Sequence, residues 1–177
     1  MMIRRSTDAD VEMILSIHHV CFPEEAVDEL TAALLSDPSA RPLVSLVAME
    51  EDTLIGHVLF TAAHLVPESK YRISLLAPLA VLPDYQGRGI GGELVKEGLI
   101  HLARSGVDLV FVLGHPSYYP RFGFTPAGKL GFSAPYPIEE KNADAWMVLA
   151  LNGELPRSCT AMVKCAKALD RADAWGE

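Results

Sequence analysis

The sequence predicts a single α/β domain built on a mixed β-sheet, and three observations carry that prediction. Apolar runs of strand length, PLVSLVAM, TLIGHVLFTAAHLV and DLVFVLG, are interleaved with stretches of helical periodicity. Pro78 interrupts the long apolar run YRISLLAPLAVL, and proline inside a central strand marks a bulge or a point where pairing stops. The four glycines Gly87, Gly89, Gly91 and Gly92 then open a helix shortly after that run. Glycine costs roughly 1 kcal/mol per helical site relative to alanine, so something other than helix stability wants that backbone bare. At 177 residues and 50 % hydrophobic content, the chain suits one domain large enough to bury a core.

Each element follows in order. Ile3-Arg4-Arg5 forms a short opening strand. Thr7, with Asp10 three residues on, makes a capping-box pattern for a helix that sets Val11, Ile14, Leu15, His18 and Phe22 on one face and breaks at Pro23. A second helix runs through Val27, Leu30, Leu34 and Leu35 until Ser36-Asp37-Pro38 stops it. PLVSLVAM and TLIGHVLFTAAHLV flank the polar turn Glu50-Glu51-Asp52 as a hairpin. The glycine-rich helix extends from about Gly89 to Arg104, burying Ile90, Leu94, Val95, Leu99 and Leu102, and Gly106 ends it. DLVFVLG is short and continuously apolar, as parallel strands covered on both faces are. HPSYYPRFGF makes a compact turn or one-turn helix, and AWMVLALN is the last strand expected. The tail from Gly153 onward includes CTAMVKCAKALDRA, which has a helical look. Residues 1–151 form the domain on this reading, and residues 152–177 an extension that is part of it or appended to it.

Bulk properties narrow the partners. Net charge is −8 and the isoelectric point near 5.2, which argues against nucleic acid or an anionic membrane, because phosphate surfaces need a basic footprint. That charge is compatible with a cationic substrate such as an amine. No apolar run approaches the roughly 20 residues needed to span a bilayer, and MMIRRSTDADVEMI lacks a signal-peptide core, so a cytoplasmic location is expected. Cys21, Cys159 and Cys165 fit no C-x-x-C or zinc spacing, and the histidines fit no ligand spacing, so no metal site is expected.

A glycine-rich helix N-terminus is an anion site. Its first N–H groups lack partners, the macrodipole is positive there, and glycine lets a phosphate approach closely. Gly87, Gly89 and Gly92 satisfy G-x-G-x-x-G, the dinucleotide fingerprint. Two features of that fingerprint are missing. Pro83-Asp84-Tyr85-Gln86 separate strand from glycine, and DLVFVLGHP offers no acid for a ribose. No Gly-Lys-Ser/Thr follows either, so the pattern is not a Walker A loop.

The same residues fit another pattern. Gln86-Gly87-Arg88-Gly89-Ile90-Gly91 is Q-x-x-G-x-G, and with LAVLPDY before it this resembles the acetyl-CoA motif of the GNAT superfamily of N-acetyltransferases, in its single-domain bacterial form. YYPRFGF is similar to the Y-x-x-x-GF segment of that family, and the resemblance covers the chain up to about Leu151. It implies a mixed, mostly antiparallel, splayed sheet with helices on both faces, acetyl-CoA as co-substrate and no metal. It also implies that Gln86, Gly87, Arg88, Gly89, Ile90, Gly91 and Gly92 hold the pyrophosphate, chiefly through main-chain amides. Leu79, Ala80 and Val81 would pair with the pantetheine arm as with an added strand. The Leu79 amide would serve as oxyanion donor, and Tyr119 would protonate the departing thiolate. Many members carry an asparagine before this tyrosine. Val112 stands at that spacing here, and Ser117 is the candidate substitute. By residue type alone, Tyr118 and Tyr119 could equally be packing residues beside Phe122 and Phe124.

The implied reaction is direct acetyl transfer to a small-molecule or peptide amine, without an acyl-enzyme, by a monomer or homodimer. A lysine-like amine is charged at pH 7 by about 3.4 pH units, or about 4.6 kcal/mol, so a general base matters. Glu24, Glu25, Asp28 and Glu29 border the usual acceptor region of the fold, and His64 and His115 end strands. The residues alone do not choose among them. Two rival readings remain: a CoA-binding sensor or partner-binding module without catalysis, and a transferase of a longer acyl group.

Overall fold

The computed structural model describes residues 1–157 and 159–176. Its strands are β1 (Met2–Arg5), β2 (Val44–Glu50), β3 (Thr53–Val66), β4 (Ile73–Val81), β5 (Leu109–Leu113), β6 (Thr125–Pro126), β7 (Phe132–Ser133), β8 (Trp146–Ala150) and β9 (Ala161–Lys164). The helices are α1 (Val11–Cys21), α2 (Val27–Ser36) and α3 (Ile90–Arg104). The main sheet runs β1-β2-β3-β4-β5-β8-β6, with β9 on the far end of β3 and β7 beside β9. Pairing is antiparallel except for β4–β5 and β7–β9.

Side-chain alternation divides the core between the two faces of this sheet. Leu46, Val58, Phe60, Leu76, Val110 and Val112 point to one face, where α3 covers them with Ile90, Leu94, Val95 and Leu102. Leu59, Leu75, Leu109, Phe111 and Val148 point to the other, against Leu34 of α2, while α1 packs Ile14 and Ile17 on Val47, Leu54 and Ala80. Both faces being covered explains why the central strands are nearly unbroken apolar runs. Gly98 lets α3 come close: a Cβ there would run into the Phe60 ring.

The tail departs from its helical look. Residues 161–164 form a strand that pairs Leu65↔Val163 and Val66↔Met162 on the end of β3. Ala161 and Val163 are buried while Met162 is exposed, a two-residue alternation that the free β3 edge selects over helix propensity. Beyond it, Leu169 and Trp175 are buried, and the Trp175 ring meets Trp146 at 5.6 Å. Each such side chain contributes on the order of 1.5–3 kcal/mol by leaving water. AWMVLALN is therefore not the last strand. Residues 158 and 177 of the predicted extension lie outside the described residues. Among the described residues, no helix is long and apolar enough to cross a membrane, and no cluster of metal-ligating side chains occurs.

Candidate active site

The sheet opens where Pro78 predicts. The β4–β5 pairing covers Ile73 to Leu76 and ends there. On the opposite edge, Val58 pairs with Leu79 and Phe60 with Leu76, so Ala77 and Pro78 together face the single residue Leu59. That two-against-one bulge turns β4 away from β5. Beyond it, Leu79–Val81 keep β3 on one side and, among the described residues, have no strand on the other. The Leu82 N–H bonds the Ile55 carbonyl at 2.9 Å, so Leu82 faces β3. Main-chain groups alternate sides along a strand, which turns the N–H and C=O of Leu79 and Val81 toward the opening.

A cavity of about 550 Å³ fills that opening. Leu79, Ala80, Val81, Gln86, Gly87, Gly89, Ile90, Gly91, Gly92 and Tyr119 line it, which brings ten of the twelve predicted binding residues to one place. Arg88 and Ser117 are not part of its wall. Arg88 instead lies over the Tyr85 ring at 5.1 Å and donates to the Asp84 carbonyl at 3.2 Å. Ser117 is exposed on the turn outside. The Gln86 side chain acts locally, its Nε2 donating to the Val81 carbonyl at 2.9 Å and so tying the glycine loop to the strand end.

The glycines divide their work. Gly87 and Gly89 have φ of 79° and 80°, in the left-handed region where L side chains are strained. A Cβ on Gly89 would meet nothing within 4 Å, so the space before α3 is open. The N-cap of α3 is Gly89, which has no side chain, and among the described residues no side chain caps the helix, which leaves its first amides free toward the cavity. Gly91 has a different reason: a Cβ there would stand 3.0 Å from the Tyr118 hydroxyl. Its bare Cα lets that tyrosine close the cavity wall. Tyr85, His115, Tyr118 and Arg121 complete the lining, and the sequence reading assigned none of them to the co-substrate. The spacing of the YYPR turn held the signal for Arg121, whose guanidinium lies 4.2 Å from the Tyr118 ring centre.

Tyr119 is buried among Tyr118, Phe122 and Phe124, with ring centres 5.1, 6.3 and 5.8 Å away. Burial, with Tyr118 beside it, pushes its phenol well above the ordinary range, so the hydroxyl stays a neutral donor. Both packing and lining roles therefore fall to one residue.

The titratable candidates separate in space. His64 sits on the end of β3 opposite Lys164 and lines a different cavity. Asp28 is 3.3 Å from His19, and Glu24 and Glu29 are exposed. His115 lines the cleft. Cys21 bonds the Val81 carbonyl at 3.2 Å, and burial pushes its thiol up, the reverse of activation. A buried chain that sequence spacing did not reveal links Ser6, Ser45, His57 and His18, with contacts of 2.6, 2.8 and 2.8 Å.

Comparison with known proteins agrees with this geometry. The GNAT acetyltransferase domain family matches residues 2–127. YjhQ of Escherichia coli K12, an uncharacterized N-acetyltransferase, is 48 % identical over 147 residues, covering 82 % of this chain and 80 % of YjhQ. The N-acetyltransferase YhbS of the same strain is 30 % identical over 165 residues, covering 93 % and 95 % of the two chains. The crystal structure of Escherichia coli YhbS in complex with CoA superposes with a TM-score of 0.86 at 29 % identity, over 97 % of this chain and 92 % of that one. A Brucella melitensis GNAT acetyltransferase crystallised with acetyl-CoA gives 0.75 at 28 % identity, over 96 % and 97 %.

Proposed function

The chain belongs to the GNAT acetyltransferases, and from that premise we propose that it moves an acetyl group from acetyl-CoA to a primary amine by direct attack. One observation carries the reading: the unpaired edge of β4 and the uncapped, glycine-lined start of α3 face the same cavity. The residues present fit the co-substrate. Free amides at the α3 N-terminus suit a pyrophosphate, an open strand edge suits a chain of amides, and a cavity of about 550 Å³ suits a small ligand.

Acetyl-CoA supplies an acetyl group activated as a thioester. The chain's residues do the rest. Main-chain amides from Gly87 to Gly92 hold the diphosphate, and the Leu79 N–H, turned to the open edge, meets charge developing on the acyl oxygen. Tyr119 donates a hydrogen bond to the departing sulfur. Val81 contributes its N–H rather than its carbonyl, which Gln86 and Cys21 already occupy. No acyl-enzyme forms, because the Cys21 thiol is raised by burial and engaged as a donor.

Thermal unfolding tests the pocket. CoA at a hundredfold excess over its Kd is expected to stabilise the fold by about 2.7 kcal/mol, and NAD to do nothing measurable. Gly89→Val replaces a left-handed glycine and fills the open space before α3, so it should lose most of the CoA shift relative to its own ligand-free form. Equal stabilisation by NAD, or a full CoA shift in folded Gly89→Val, contradicts the reading.

A further inference from the structure

We propose that His115 is the base that receives the acceptor amine's proton, and that the amine enters through a second cavity on its far side; this rests on the acetyl-transfer reading above. That second cavity is about 560 Å³, a size suited to a small molecule, and Glu25, Leu113, Pro116, Ile138, Glu139 and Trp175 are among its walls. Among the described residues, His115 alone lines both it and the cleft beside β4. His115 is therefore the residue through which a proton can pass from one cavity to the other.

The backbone fixes the arrangement. β5 ends at Leu113, and the bare Cα of Gly114 makes room for the Tyr119 ring, into which a Cβ there would run. The His115 carbonyl then accepts the N–H of Tyr118 at 3.0 Å and of Tyr119 at 3.3 Å. Proton acceptor and sulfur-side donor are thus held four residues apart on one turn. The ionisable groups sharing the two cavities with His115 are Glu25 and Glu139 on the entry side and Tyr85, Tyr118, Tyr119 and Arg121 on the other. Glu139 is held by Lys141 at 3.2 Å.

The chemistry needs such a group. At pH 7 only about one alkylamine in a few thousand is neutral, so a proton must leave nitrogen on the way to product. The nitrogen lone pair forms the C–N bond to the acetyl carbon, and the C–S electron pair departs with sulfur. Two protons leave nitrogen in turn, the ammonium's before attack and the second after the C–N bond forms, each passing to a ring nitrogen of His115 and from there to solvent through the outer cavity. Tyr119 hydrogen-bonds the departing thiolate, which takes its proton from solvent, giving an amide and a free thiol. Imidazole is the side chain most often used this way.

The test measures thiol release from acetyl-CoA with four probes: phenethylamine, spermidine, an aminoglycoside and a peptide with a free N-terminus. On the amine that wild type turns over best, His115→Gln and His115→Ala should each lose about 10²-fold in kcat with KM for acetyl-CoA unchanged. Added imidazole should restore His115→Ala at least tenfold and leave His115→Gln as it was. Activity of His115→Gln within twofold of wild type overturns the proposal, as does a loss in His115→Ala that imidazole does not relieve. If wild type releases no thiol with any of the four while CoA still stabilises it, the acetyl-transfer reading fails and the base fails with it.

Discussion

Replacing Tyr119 by phenylalanine is expected to lower kcat by about 10²-fold and leave KM for acetyl-CoA within about twofold. The aromatic cage of Tyr118, Phe122 and Phe124 holds the ring, so phenylalanine keeps the packing and loses only the hydroxyl. Burial and the neighbouring Tyr118 hold that phenol above its usual range, which makes it a poor source of a whole proton and a persistent hydrogen-bond donor. A hydrogen bond to a charged partner is worth about 1.5–3 kcal/mol, and 10²-fold corresponds to about 2.7 kcal/mol within that range. A thiol of pKa about 8.5 also departs unaided to some extent, which sets the ceiling on the loss. Steady-state kinetics on any accepted amine decide the matter. A kcat within twofold of wild type, where chemistry limits the rate, makes Tyr119 a packing residue and nothing more.

Acidification from pH 7 to pH 4 is expected to remove about 3 kcal/mol of folding stability through His18 alone. His18 and His57 are fully buried, their rings joined at 2.8 Å, and the Nδ1 of His18 has no partner among the described residues. Burial lowers His18 to about 4, partly offset by Asp28, and lowers His57 to about 3, with His18 adding to the effect. Both sit below the unfolded value of 6.5, so the unfolded chain binds protons first. Their contribution is complete above pH 6.5 and drains away as pH falls toward 4 and 3. Asp10 acts in a lower window. Its carboxyl, bonded by Arg4 at 2.7 and 2.9 Å, is held at about 2, so its share is lost only below about pH 4. Urea unfolding at pH 7, 5.5 and 4 measures this. Each proton taken up steepens the dependence by about 1.4 kcal/mol per pH unit, so His18→Gln should lower the slope by up to that amount. Equal stability at pH 7 and pH 4 would mean the pair is not held neutral.

Local signals in the sequence carried far. The acidic turn at residues 50–52 sits between two β runs, and they pair as a hairpin. Pro78 cannot take part in an uninterrupted ladder, and the strand opens there. The glycines at 87 and 89 could be read as backbone kept bare at a helix start, and the structure adds a second reason, since both have positive φ. Signals that arise only from assembly were hidden. Residues 161–164 are a strand because the far end of β3 offers a free edge nearly a hundred residues upstream, and the local periodicity of that tail does not contain this. His18 and His57 meet across 39 positions, between a helix and a strand, and no spacing rule joins them. The Q-x-x-G-x-G pattern located Gln86, but its side chain serves the strand end, a distinction that requires the loop's actual path. Gly91 likewise answers to Tyr118, which closes on it from the other side of the cleft.

Amine-dependent release of free CoA thiol from acetyl-CoA tests the central claim most directly, because it requires the cleft, the reactive thioester and an acceptor at once. Acetyl-CoA with the chain alone should release thiol only at the background rate, and intact mass should show no acetylated protein. Adding an accepted primary amine should raise the rate in a saturable way, with one acetylated amine formed for each thiol released. Stabilisation by acetyl-CoA with no thiol release across amines, polyamines, aminoglycosides and peptide N-termini would contradict the account and leave a CoA-binding module in its place.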